Sequence, residues 1–376
     1  MPPTTPSPPT NTYLHADVQN TSLSLTSSES LSRADVFARR NPLGYFTTFK
    51  LLLFGSFLIP LRVLLLVLFN VLWLPVLSIS LSTNILTELT MYIWIRTQLF
   101  LLGFLWITTS GKKPKRPKDT SYLIIGNHTG WVEIAYITMT FLPSFVAKSP
   151  IKKWPIIGLI TKSLNCIYVN RFNPNAGSKR MSTTDFILDN LKKENLKLAM
   201  FPEGTTTNGT HLVHFRSGAF VPGLPIVPLV FEMPFCCWDV SCSSYSIVWH
   251  TLGCMGQPVN FFRVRFLEVY YPSEVEKVNP EIFKKNVKKY MLDNSKLKES
   301  EYTYSDKLLY EKSVGYENSE VKKKRRREEK TRRRKEESAK RKIAPEEVEE
   351  EEEEEEEDES GHSIGHLSRS VVVVST

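Results

Sequence analysis

A run of large apolar side chains from Leu51 to Leu81, interrupted by Pro60, Arg62, Asn70 and Pro75, constrains this chain more than any other stretch. At about 1.5 Å per residue a helix of this length exceeds a hydrocarbon core of about 30 Å, so one straight crossing is awkward. The run therefore reads as membrane-embedded. Met91 to Thr108 is a second apolar stretch, holding Arg96 and Gln98, with Trp94 and Trp106 as interfacial anchors; it is open to lying only in the interface or to being a buried core helix, a reading that fits the first run badly. Ser82 to Thr90 between them carries no Lys or Arg, whereas Arg39, Arg40 and Lys50 precede the pair and Lys112, Lys113, Lys115, Arg116 and Lys118 follow it. Positive residues favour the cytosolic side, so the expected arrangement is a hairpin or re-entrant pair with both ends in the cytosol.

Beyond the basic linker the pattern changes to short apolar runs alternating with helix-like stretches. Strands are expected near residues 122–126, 144–147, 166–170, 198–202 and 226–232, with helices near 131–140, 155–163 and 180–193. Further strands are expected at 244–250 and 262–270, and a closing helix at Pro280 to Leu292. The fold class is α/β, a mixed sheet with flanking helices, preceded by an N-terminal membrane hairpin. Four regions result: a disordered segment 1–40, rich in Pro, Ser and Thr; a membrane-embedded region 41–110; a catalytic-type domain 111–300; and a low-complexity charged tail 301–376.

The net charge of +8 belongs to the body, because residues 321–376 carry 15 Lys and Arg against 17 Asp and Glu. A basic body suits anionic lipid surfaces or coenzyme phosphates. The Lys322–Arg327 cluster has no interleaved aromatic residues and is followed by an acidic run, so no nucleic-acid partner is expected. Five cysteines (Cys166, Cys236, Cys237, Cys242 and Cys254) show no framework spacing and read as reduced thiols. His211 and His214 lack Cys or acidic partners at metal-ligand spacing, so no metal is expected.

His128 stands where the Tyr122–Gly126 run hands over to a helix, with Glu133 five residues on. Imidazole can accept a proton near neutrality once a carboxylate fixes its other ring nitrogen. Alone, such a pair is as readily a capped structural one. Three blocks downstream give it company: Cys166–Arg171, a strand ending on a cation; Phe201-Pro202-Glu203-Gly204-Thr205-Thr206 after a second strand; and Val221–Pro228 opening a third. In order and spacing these four blocks resemble the glycerophospholipid acyltransferase (1-acylglycerol-3-phosphate acyltransferase-like) family over Tyr122 to Leu292. Phe262–Phe266 and Tyr271-Pro272-Ser273-Glu274 look more like its lysophosphatidylcholine and lysophosphatidylethanolamine acyltransferase branch. Glu133 departs from the pattern, which has aspartate there.

The resemblance implies transfer of an acyl group from acyl-CoA, a co-substrate rather than a bound cofactor, to a lysophospholipid hydroxyl. His128 would be the base and Glu133 its orienting acid. Arg171 would clamp the acceptor phosphate, with Gly204 and Thr205 near that phosphate. Glu203 would accept from a substrate hydroxyl, fix Arg171 or stabilise its own turn. Backbone N–H groups of Gly204 or of the Pro222-Gly223 turn could stabilise the oxyanion, and Lys148 and Arg216 could face coenzyme phosphates. The implied setting is the endoplasmic reticulum membrane, with the domain facing the cytosol. The alternatives are a 1-acylglycerol-3-phosphate acyltransferase and, from another class, a catalytically impaired membrane scaffold whose charged tail binds partners.

Overall fold

The structure is a computed structural model; it describes residues 27–40, 45–83, 85–169 apart from 116, 118 and 119, 196–235, 238–241, 247–316, and, in the tail, 326, 329–334 and 336–338. The described residues from Ser27 to Tyr316 form one compact unit, and those from 326 to 338 belong to a second.

Seven strands build the main sheet: β1 (Ile107–Ser110), β2 (Tyr122–Gly126), β3 (Ser144–Lys148), β4 (Ile167–Val169), β5 (Lys197–Met200), β7 (Ile226–Glu232) and β8 (Phe262–Phe266). Their spatial order is β1-β8-β7-β2-β5-β3-β4. Every neighbouring pair is parallel except β7 with β8. A short β6 (His211–Leu212) pairs with β9 (Lys298–Glu299) apart from it. The strand β2 lies between β5 and β7 and is buried along its whole length. A strand covered on both faces needs unbroken apolar sequence, which is why Tyr122-Leu123-Ile124-Ile125 shows no alternation. Gly126 closes it because a Cβ there would lie 2.5 Å from the ring of Phe231. Parallel β2 and β5 bring their carboxyl ends to one edge, where ligand sites of such sheets form.

Helix α4 (Val132–Phe141) packs on the sheet with Val132, Tyr136, Ile137 and Phe141 buried. After β3 and a 3-10 turn comes α5 (Pro155–Ser163), started by a proline at its first position. Two further helices, α7 (Glu274–Val278) and α8 (Pro280–Asp293), close the other face, where Phe283, Val287 and Met291 complete a second core cluster.

The membrane region and one expected strand take forms that the sequence left open or did not specify. Helix α2 (Tyr45–Thr83) runs unbroken through Pro60 and Pro75, 39 residues long or about 58 Å. The second apolar stretch divides into α3 (Thr87–Leu101) and β1, an edge strand on β8. Helix α3 folds back along α2, where the Asn70 side chain accepts from Trp94 at 3.1 Å and from Gln98 at 2.9 Å. Its Met91, Ile95 and Leu99 are buried in the same cluster as α4, each contributing about 1.5–3 kcal/mol, so α3 is a packed helix of the domain. The two helices thus fold back on each other, but a hairpin with both legs in a membrane is not shown. Residues 244–250, expected as a strand, are replaced from Ile247 by the helix α6 (Ile247–Met255), an apolar run whose period could not separate the two states.

The ends differ as well. Within the segment expected to be disordered, α1 (Ser27–Phe37) is ordered, because Val36 and Phe37 bury themselves against Val213, Tyr302 and Tyr310. Within the expected tail, α9 (Tyr304–Ser313) packs on α1, tied by Arg33 to Asp306 at 3.5 Å. The expected helix at 180–193 lies outside the described residues.

Candidate active site

His128 is the first side chain beyond β2 that faces out of the sheet edge, and its position is set by four contacts. Its Nδ1 lies 2.9 Å from Glu133 Oε1. Its ring stacks on Phe201, just past β5, with centroids 4.2 Å apart and planes inclined by 15°. Its backbone N–H donates to Glu203 Oε1 at 2.8 Å, and its carbonyl accepts from Thr207 N–H at 2.9 Å. With Nδ1 donating to a carboxylate, the tautomer leaves Nε2 as the acceptor, and the side chain is 18% exposed.

Glu133 sits in the first turn of α4 and is fully buried. Its Oε1 reaches back to accept from Thr129 N–H and Gly130 N–H, each at 2.5 Å, as well as from His128. The extra methylene relative to aspartate is taken up by this folding back over the turn. Burial by itself would raise the carboxyl pKa; the hydrogen bond and charge of His128, with the Gly130 N–H, outweigh it and hold Glu133 below its ordinary value. Asn127 ties the turn to the sheet: its side chain donates to Phe231 O at 2.9 Å and accepts from Phe231 N–H at 2.8 Å.

Glu203 is a different kind of acid. It is buried, its Oε1 holds the His128 backbone, and its Oε2 accepts from Val213 N–H at 3.4 Å. Burial pushes its pKa up to about 8, the two N–H groups offsetting only part of that penalty. Of the three roles open to it, the bond to His128 N–H fits the one that stabilises the turn, while Arg171, its other proposed protein partner, lies outside the described residues. Glu203→Gln keeps an oxygen acceptor there, so we expect acceptor KM to stay unchanged and kcat to fall by no more than about tenfold. A carboxylate that bound substrate would instead move KM. A carboxyl whose folded pKa is raised stabilises the fold below its unfolded value near 4.5, and that contribution is lost as pH rises through about 8. The melting temperature of Glu203→Gln relative to the parent should accordingly climb between those two pH values, and a flat difference would refute the buried-acid reading.

The other sequence-derived site residues fare unequally. Gly204 has φ of 64°, and a Cβ there would stand 2.6 Å from Arg216 Nε, so the exposed Arg216 side chain lies against this turn. Thr205 is buried. Both glycine N–H groups considered for an oxyanion are engaged in their own turns, Gly204 with Phe201 O and Gly223 with Phe220 O, each at 3.1 Å. Arg171 lies outside the described residues, as does the side chain of Lys148. His211 bonds Thr210, and His214 approaches Glu301 at 3.5 Å.

Three contributors carried no readable sequence signal. Phe201 supplies the ring beneath His128. Lys307, from α9, donates to Thr206 O at 3.0 Å and Thr206 Oγ1 at 2.6 Å. Asn208 is buried and binds the end of α1, donating to Asp35 O at 2.8 Å and Ala38 O at 3.0 Å. In the sequence Phe201 reads only as an apolar residue before a turn, and Asn208 only as the start of Asn208-Gly209-Thr210, which with Asn127-His128-Thr129 matches the glycosylation acceptor pattern.

Three comparisons bear on this site. Residues 107–232 match the family model described as Acyltransferase. The lysophospholipid acyltransferase LPEAT1 of Arabidopsis thaliana is 33% identical over 254 residues, covering 60% of this chain and 63% of that protein. Lysophosphatidylcholine acyltransferase 1 of Danio rerio is 30% identical over 228 residues, 59% of this chain and 43% of the relative. The chain thus spans less than two thirds of these relatives. The crystal structure of the 1-acyl-sn-glycerophosphate (LPA) acyltransferase PlsC from Thermotoga maritima aligns with 65% of this chain and 98% of that one, at a TM-score of 0.45 and 15% identity.

Proposed function

We infer that this chain, whose residues 107–232 match the family model described as Acyltransferase, is a member of that family and transfers a fatty acyl group from acyl-CoA to the hydroxyl of a lysophospholipid. The observation that carries the reading is the imidazole of His128, bonded at Nδ1 to the buried Glu133 and open at Nε2 on the sheet edge. An alcohol becomes a competent nucleophile when a base takes its proton in the transition state. His128 Nε2 takes the acceptor's hydroxyl proton while the oxygen attacks the thioester carbonyl. The tetrahedral intermediate then collapses, the C–S bond breaks, and the imidazolium returns the proton to the departing thiolate. The products are a phospholipid ester and free CoA. Glu133 stabilises the cation that exists between these steps.

The same reading places the chain at a membrane. Helix α2 is the one helix among the described residues long and apolar enough to cross a bilayer, and it carries large side chains such as Phe57 and Leu72 outward. Substrates with long acyl chains reach a site held at the interface without passing through water. Arg40, bonded to Asp239, and Lys113, bonded to Thr140 O, hold both basic flanks against the domain, which supports a cytosolic domain on the endoplasmic reticulum.

The test is release of CoA thiol from acyl-CoA by purified membranes offered a panel of lysophospholipids, including lysophosphatidylethanolamine, lysophosphatidylcholine and 1-acylglycerol-3-phosphate. Acceptor-dependent thiol release with product ester is expected for a lysophospholipid bearing a head group. Release with 1-acylglycerol-3-phosphate alone would transfer the reading to that substrate, and release with none would end it.

A further inference from the structure

Helix α6 is apolar on its outer face as well as its inner one, where Cys254 and Met255 join the core. Its inward face carries His250, buried against the domain, and Cys254, whose sulfur lies 3.7 Å from His250 Nε2. Gly253 is on the same face, where a Cβ would stand 2.1 Å from the Trp238 ring. Its outer end instead presents Ile247, Val248 and Trp249, between 57% and 67% exposed. A surface helix ordinarily turns such residues inward and polar ones outward.

A second exposed group lies before α5. Lys152, Lys153 and Trp154 follow one another at the surface, and Ile157 is exposed one turn further on. Cationic residues beside an exposed tryptophan match the boundary between headgroups and acyl chains: the indole straddles it, and the ammonium groups meet phosphates.

Both groups are continuous with α2. The long helix packs on α5 and on α6. Against α6 the approach is close: a Cβ on Gly55 would lie 3.8 Å from the Gly256 Cα. Arg62, midway along α2 and buried, donates to Met255 O at 2.6 Å, Gln257 O at 2.5 Å and Pro258 O at 2.9 Å. The apolar helix is thereby locked to the end of α6.

We propose that the Ile247-Val248-Trp249 tip of α6 and the Lys152-Lys153-Trp154 turn are interfacial contacts that seat the domain on the bilayer α2 enters, with anionic lipid headgroups as the ligand of the lysines. The proposal rests on the reading of α2 as a membrane helix. Arg62 holds α2 and α6 at a fixed offset, so the tip enters to a set depth.

The experiment uses the full chain in phosphatidylcholine vesicles containing phosphatidylserine and lipids brominated near the headgroup end of the acyl chain. Trp249→Phe and Trp154→Phe should each lower the fraction of tryptophan fluorescence that these lipids quench. A quenched fraction unchanged in both variants places the two groups in water and overturns the proposal, whatever the activity. As a second readout, Val248→Asp combined with Trp249→Asp should raise the ratio of vesicle-presented to micelle-presented acceptor KM about tenfold. An unchanged ratio counts against the tip. Release of the parent chain from vesicles by alkaline carbonate would sink the α2 reading instead, and retention with no quenching at Trp249 or Trp154 sinks the seating alone.

Discussion

His128→Ala should abolish acyl transfer, with a fall in kcat of about 10²–10⁴-fold, the usual effect of removing a general base. The geometry makes the loss specific. The ring removed is the one stacked on Phe201 and bonded to Glu133, while the backbone bonds to Glu203 and Thr207 do not depend on the side chain. Glu133 keeps its two bonds from Thr129 and Gly130, so the turn survives. Thermal melting should therefore stay close to the parent's while thiol release disappears. Activity within tenfold of the parent would remove His128 from the mechanism.

Glu133→Gln should come next in size, a loss of about 10²–10⁴-fold in kcat with acceptor KM little changed, comparable to amide replacement of the orienting acid in a hydrolase triad. The carbonyl of glutamine can occupy the Oε1 position and accept from the same three donors. What it lacks is the negative charge that stabilises the imidazolium. Its NH₂ also enters the Oε2 position, where the carboxylate is buried without a hydrogen-bond partner, at a cost of about 1–3 kcal/mol for an unsatisfied donor. Melting of the variant reports that second effect and single-turnover rates report the first. Glu133→Asp keeps the charge but falls about 1.5 Å short of the imidazole, the length of one carbon–carbon bond. It should retain part of the activity. Parent-like turnover by Glu133→Gln would dissolve the dyad.

Sequence made β2, α4, β7 and the His128–Glu133 pair legible, because each depends on neighbours close in the chain: an unbroken apolar run, a turn, a carboxylate one helical turn on. The role of Glu203 was not legible. Its partner is a backbone N–H 75 residues away, and a backbone group leaves no mark on residue identity. The order of α1 was equally hidden, since only Val36 and Phe37 anchor a segment otherwise polar in composition. Helix α6 reads as an apolar run of either kind until Trp238 is seen to need a glycine opposite it. The glycosylation pattern at Asn127 and Asn208 shows the opposite fault. Both side chains are buried and bonded to backbone, so the folded protein offers neither to a transferase on either side of a membrane.

The clasp formed by α1 and α9 bears on how this domain can be cut or transplanted. The loop Thr206–Thr210 fastens His128 from behind through Thr207. It is itself fastened by Asp35 and Ala38 on one side and by Lys307 on the other. The two fasteners meet each other at Arg33 and Asp306. A fragment trimmed to residues 107–232, the block that matches the family model, would carry the proposed base and its acid without the buckle that holds them. The smallest chain that keeps the assembly whole runs from about residue 27 to Tyr316, as a compact unit must bring its own closing contacts. In a chimera with a relative, α1 and α9 would have to travel as a pair, although most of the compact unit lies between them.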